Sequence, residues 1–107
     1  KINSNTKAIM ICHLFGTACS NTQEVKNFCE ANNLYLIEDA AQGIGATYKK
    51  KPLGTIGDIG CISFHGTKNI SCGEGGAIFI NDNSLKLSAE IIREKGTNRA
   101  AFFSRRN

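Results

Sequence analysis

Apolar and polar positions alternate along this chain in blocks that define its elements. Residues 8–13 (AIMICH) follow a polar lead and form a short continuous apolar run, the mark of a buried strand. Asn21 or Thr22 is suited to cap a helix, and Val25, Phe28 and Cys29 then share one face of a helix expected to run to about Asn32. Residues 34–38 (LYLIE) read as a second strand. Strand, helix and strand in such close succession make a βαβ unit, whose strands are expected to be parallel with a right-handed crossover. Gly43, Gly45, Gly54, Gly57 and Gly60 punctuate the next stretch, with Pro52 in a turn, before a third strand at residues 59–64. A fourth strand is predicted at residues 76–80. Asn81, Asp82 and Asn83 can cap a helix over residues 84–95 that stops at Gly96. No repeat, low-complexity tract or internal domain boundary interrupts this order, which predicts a three-layer α/β fold around a mainly parallel sheet.

Composition narrows the class. With 107 residues, 41% of them hydrophobic and 21% charged, the chain resembles an ordinary globular domain rather than a disordered one. The longest apolar stretch, residues 8–15, is broken by His13 and is far shorter than the ~20 residues that cross a bilayer, so no membrane role is expected. The sole methionine, Met10, lies inside that stretch, so translation is expected to start upstream and the chain to be a fragment or processed piece. Five cysteines, Cys12, Cys19, Cys29, Cys61 and Cys72, give an odd number without a Cys-x-x-Cys pair. That pattern fits neither a disulfide framework nor a zinc site, and it favours a reducing cytoplasm and no metal. Cys12 beside His13 would suggest catalysis or metal binding only if both faced the same way. Adjacent strand residues face apart, so a single buried thiol is the plainer reading. The net charge of +4 comes largely from Lys49, Lys50 and Lys51 and from Arg99, Arg105 and Arg106. No aromatic residues interleave with these charges, as a single-stranded nucleic-acid surface would need, so a solvated loop and tail are expected, and no nucleic acid.

Three segments carry candidate chemistry. Glu38 and Asp39 end an apolar strand and small residues follow, which puts a carboxylate at the carboxyl edge of a parallel sheet, where open α/β folds bind ligands. Its bland alternative is a cap on the next element. Ser63 to Asn69 (SFHGTKN) is a second strand end, with Lys68 among small and hydroxyl-bearing residues, although a loop lysine is commonly just solvated. Residues 73–76 (GEGG) resemble a phosphate loop but lack the Lys-Ser/Thr ending and lead into a strand, so a tight turn explains them better. Together the first two segments offer what pyridoxal phosphate chemistry requires: a lysine to hold the cofactor and a carboxylate to keep its pyridine nitrogen protonated.

In the EDAAQ run at residues 38–42, the SFHGTKN run at 63–69 and the GEGGA run at 73–77, the chain resembles the nucleotide-sugar aminotransferases of the DegT/StrS type. The segments LGTIGDIGCISFH (53–65) and IIREKGTNR (91–99) look most like the transaminases that make dTDP-4-amino-4,6-dideoxygalactose for enterobacterial common antigen. This resemblance implies the fold-type I aminotransferase fold, with residues 1–107 as the central part of the cofactor-binding large domain and a smaller C-terminal domain absent. It implies pyridoxal 5'-phosphate as cofactor, with Lys68 as the Schiff-base lysine and proton shuttle. By the same resemblance Asp39 pairs with the pyridine nitrogen, Gln42 approaches the ring and its 3-oxygen, and Ser63 contacts the phosphate. His65 and Glu74 belong to the matching runs as residues that line the site or hold it, and Thr67 and Asn69 stand beside them.

The activity so implied is amino transfer, from glutamate, onto a 4-keto nucleotide sugar such as dTDP-4-keto-6-deoxyglucose, for cell-surface polysaccharide synthesis by a homodimer. A dehydratase branch of the family carries histidine in place of the Schiff-base lysine, and Lys68 argues against it. Family members also have an upstream Gly-Thr turn for the phosphate, an aromatic residue on the cofactor ring and an asparagine from the partner subunit, and none of these falls in this chain. A second reading therefore stands beside the enzyme: a truncated module that folds or self-associates without catalysis.

Overall fold

The computed structural model describes residues 2–104. Its elements in chain order are β1 (Ala8–Cys12), α1 (Thr22–Ala31), β2 (Tyr35–Asp39), β3 (Thr47–Tyr48), β4 (Lys51–Pro52), β5 (Ile59–Ser63), β6 (Gly76–Ile80), α2 (Lys86–Arg93) and α3 (Arg99–Ser104). Four strands form one sheet in the order β1-β2-β5-β6, and β3 and β4 form a separate hairpin. β1, β2 and β5 run parallel and β6 runs antiparallel to β5. The carboxyl ends of the three parallel strands thus share one edge with the start of β6 and with the loop that carries Lys68.

Register divides the residues between two faces. Ile9 pairs with Leu36 and Ile11 with Glu38, while Glu38 pairs with Gly60. These residues share the face on which Ile11, Leu36 and Cys29 of α1 pack with Ile9, Val25 and Leu34. Residues 40–57 cover the other half of the same face, with Ala40, Leu53, Ile56 and Ile62 as their core. Gly60 is required there: a Cβ on it would lie 2.0 Å from the Gly54 carbonyl oxygen, because the covering loop crosses directly over the strand. Met10, Tyr35, Ile37, Asp39, Ile59, Cys61 and Ile78 occupy the opposite face, by alternation. α2 lies over its β5–β6 end, leaving an open cleft against Ile59, Ile78 and Ile80. The three layers are present, but Met10 and Ile78 remain exposed.

Several expectations are refined. Asn21 occupies the N-cap of α1, yet its side chain caps nothing; Thr22 instead donates its hydroxyl hydrogen to the Cys19 carbonyl at 2.7 Å. Asp82 caps the second helical segment by accepting from the Ser84 amide at 2.8 Å, and one 3₁₀ turn precedes α2. Pro52 belongs to a strand, and the turn falls on Lys49 and Lys50, both at positive φ. The buried member of the Cys12–His13 pair is His13 rather than the thiol: Cys12 is exposed, and the buried cysteine is Cys29. Arg99 opens α3 rather than a loose tail, while Arg105 and Arg106 lie outside the described residues.

Candidate functional site

Glu38 anchors the site from behind. It is fully buried, and its carboxylate accepts hydrogen bonds from the amides of Gly54 (3.0 Å), Ile56 (2.6 Å) and Gly57 (2.6 Å) and from His13 Nε2 (3.0 Å). His13 Nδ1 accepts from the Cys19 amide at 3.0 Å, which assigns the ring hydrogen to Nε2 and lets it donate to Glu38. Asn81 completes the clamp by donating to the carbonyls of Gly54 (3.0 Å) and Gly57 (2.8 Å). Loop 53–57 is thereby fastened through both its N–H and its C=O groups, and the carboxyl ends of β1 and β2 are bound to it.

Asp39 follows Glu38 and points to the other face. One of its oxygens accepts from the Ala41 amide at 3.1 Å, and the other has no partner among the described residues. Asp39 lines a cleft of about 240 Å³ together with Cys12, His13, Leu14, Ala41, Gln42 and Lys68. An adjoining cleft of about 200 Å³ is lined by Phe15, Ala41, Gln42, Ile44, Thr67, Lys68 and Asn69. Lys68 and Gln42 therefore stand between two halves of one hollow at the sheet edge.

The lysine is presented by a narrow loop that continues the β5–β6 pairing. The Phe64 amide donates to Gly75 O (2.8 Å), Gly66 to Gly73 O (2.9 Å) and Cys72 to Phe64 O (3.0 Å), and the Lys68 amide closes a turn onto His65 O (2.9 Å). Lys68 is half-buried and its amine has no partner among the described residues. Gly73 turns at φ 84°, so the GEGG run is the turn expected of it.

The remaining sequence candidates separate. Gln42 is in the hollow, but its Oε1 is engaged by the Phe15 amide at 2.8 Å. Ser63 shares the edge and lines neither cleft; its hydroxyl accepts from the His65 amide at 3.3 Å. His65 and Glu74 form an exposed pair, Nε2 to Oε1 at 3.6 Å, with the His65 ring also against Thr67 Oγ1 at 3.0 Å, so both brace the lysine loop from outside. Among the described residues no cluster of histidine, cysteine and acidic side chains is arranged to hold a metal. The donor set does suit pyridoxal phosphate: a free carboxylate oxygen, an unpaired amine and the Gln42 amide face one hollow. Sequence reasoning missed Glu38's role, His13 and Phe15. Only the paired acids at 38 and 39, which alternation must send to opposite faces, offered a signal.

A family model for DegT/DnrJ/EryC1/StrS aminotransferases matches residues 1–106. The chain belongs to this family. GDP-perosamine synthase of Vibrio cholerae is 45% identical over 96 residues, covering 90% of this chain and 26% of the relative. Among solved structures, DesI in the presence of its TDP-sugar product superposes with a TM-score of 0.83 at 28% identity, covering 94% of this chain and 25% of the other. NtdA of Bacillus subtilis, with bound cofactor PMP, superposes with a TM-score of 0.71 at 35% identity over 84% of this chain and 20% of the other. The chain thus spans about a quarter of the length of the curated relatives it matches. The fold is that of these DegT-family aminotransferases, in part. No helix among the described residues is long and apolar enough to cross a membrane.

Proposed function

We propose that the full-length protein is a pyridoxal-phosphate-dependent aminotransferase acting on a 4-keto nucleotide sugar, with glutamate as donor, in cytoplasmic synthesis of a cell-surface polysaccharide. The observation that carries this reading is a lysine and a carboxylate, Lys68 and Asp39, delivered from separate strand ends into one hollow of a DegT-family fold. The cofactor, when bound, supplies an aldehyde that exchanges amino groups and a ring that withdraws electrons from the neighbouring carbon.

The chain's own residues have the following work. Lys68 would hold the cofactor through its amine and, when that amine is free, would take and return the proton at the substrate's reacting carbon. Asp39, with one oxygen unpartnered among the described residues, would accept a charge-assisted hydrogen bond from the cofactor's ring nitrogen. Gln42 would have its amide NH₂ to offer the ring's oxygen, since its carbonyl is occupied. Ser63 contributes a hydroxyl for the phosphate at the same edge. His65 and Glu74 keep the lysine loop in shape.

The dTDP-linked 4-keto-6-deoxyglucose is the proposed acceptor, on the resemblance of residues 53–65 and 91–99; its competitor is a GDP-linked 4-keto sugar, the kind of acceptor a synthase named for the amino sugar GDP-perosamine would need. Full-length protein should aminate one of these sugars in the presence of glutamate and cofactor. Lys68→Ala should abolish turnover, whereas Asp39→Asn should keep the cofactor bound and slow proton removal. Undiminished turnover in Lys68→Ala would sink the assignment, and comparison of the two sugars decides the nucleotide. Homodimerisation is proposed for the full-length protein. The 107-residue stretch alone is proposed to be inactive, because its sheet is bare on part of one face and the hollow stands open.

A further inference from the structure

The turn Leu14–Gly16 carries two costs, a strained backbone and an exposed aromatic ring. Phe15 adopts φ 55° and ψ 26°, the left-handed region that bulky residues avoid, and its side chain is 81% exposed. The surrounding bonds enforce this arrangement. The Phe15 amide donates to Gln42 Oε1 at 2.8 Å, the Gly16 amide to His13 O at 3.1 Å and the Thr17 amide to Leu14 O at 3.0 Å. Gly16 itself sits at φ 74°, and a Cβ there would approach the Gln42 carbonyl oxygen to 2.6 Å. His13, which begins the turn, is fixed in turn by Glu38. The buried clamp behind the sheet and Gln42 in front of it together put an aromatic ring in the wall of the hollow, alongside Thr67, Lys68 and Asn69.

We propose that Phe15 is a substrate-contacting, specificity-determining residue, whose ring forms the platform for the sugar ring of the nucleotide-sugar acceptor beside Lys68; this rests on the function proposed above. A pyranose has a C–H face that packs on the negative face of an aromatic ring, while its hydroxyls point outward to polar groups such as Thr67 and Asn69. A short acidic amino donor has no such face, so Phe15 discriminates between the two substrates of one site. Backbone strain kept at an exposed aromatic residue is explained when the residue is needed at that spot.

The test uses the full-length protein and two variants. Asn tolerates the left-handed region, so Phe15→Asn keeps the turn and removes the platform; Phe15→Tyr keeps the platform. Phe15→Asn should raise KM for the nucleotide sugar about tenfold and weaken its calorimetric Kd by the same factor, with KM for the amino donor within about twofold of wild type. Its melting temperature should not fall, and Phe15→Tyr should stay within about threefold of wild type throughout. Unchanged sugar KM and Kd in Phe15→Asn, or an equal rise for sugar and donor, would overturn the assignment. Wild-type protein that neither binds nor aminates a nucleotide sugar would overturn the proposed function and this role with it; normal wild-type turnover with an indifferent Phe15→Asn overturns the role of Phe15 alone.

Discussion

Glu38 and Asp39 are neighbours in the chain and end on opposite faces of β2, and that alternation divides their work. Glu38 is taken out of water and repaid by four donors, three of them backbone amides of one loop. Glu38→Gln would turn an NH₂ toward amides that can only donate, leaving buried groups unpaired, at a cost of about 3 kcal/mol or more. Urea unfolding of the full-length protein checks this: the midpoint should fall sharply, whereas Asp39→Asn, on the open face, should scarcely move it. The motif at 38–42 made Asp39 legible from sequence, since an acid at a parallel strand end is where ligands bind. Glu38's partners were not legible. They come from residues 13 and 54–57, and only tertiary packing brings them together. Phe15 escaped for a similar reason, because positive φ at a phenylalanine has no sequence signal.

The βαβ unit is the part of the fold that hydrophobic spacing revealed best, since one helical face and two apolar runs must bury each other. Its helix is tied by charge to Asp58, the residue that leads into β5. Lys26 Nζ lies 2.8 Å from Asp58 Oδ1, and Asp58 Oδ2 accepts from the Leu36 amide at 2.7 Å. Burial alone would push the Asp58 carboxyl up, but the Lys26 and Leu36 hydrogen bonds hold it below the ordinary carboxylate value. Burial likewise would pull the Lys26 ammonium down, and Asp58, with help from Glu30, holds it above the ordinary lysine value. A lowered acid stabilises the fold above its unfolded pKa of about 4 and loses that contribution as pH falls through the folded value. A raised lysine contributes below about 10.4 and loses its share as pH rises through the folded value. The urea midpoint of wild type should therefore exceed that of Asp58→Asn at neutral pH, and the gap should close as the pH drops below about 4. A gap that persists in acid would contradict the ion pair's role. The β3–β4 hairpin was illegible, because its turn places Lys49 and Lys50 at φ 48° and 68° where Asn-Gly is the usual signal.

The whole chain is open for its length: its radius of gyration is 16.0 Å, against about 13 Å for a compact domain of this size. Met10, Tyr35, Ile78, Leu87 and Ile92 are exposed, and the outer edges of β1 and β6 pair with no strand among the described residues. Such a surface calls for further chain or another copy to cover it. The 107-residue stretch by itself should bind a hydrophobic dye strongly and sediment as more than a monomer, while full-length protein should bind little dye; a dye-silent monomer of the short chain would show that it is a complete small domain. Whether this sheet edge holds pyridoxal phosphate on Lys68 can be read chemically. Full-length protein loaded with cofactor is reduced with borohydride, which fixes the cofactor to the amine that holds it, and is then digested and weighed by mass spectrometry. A pyridoxyl-phosphate mass is expected on the peptide containing Lys68, and its loss in Lys68→Ala; a label on a different lysine, or none on a protein that still transaminates, would show that Lys68 does not hold the cofactor.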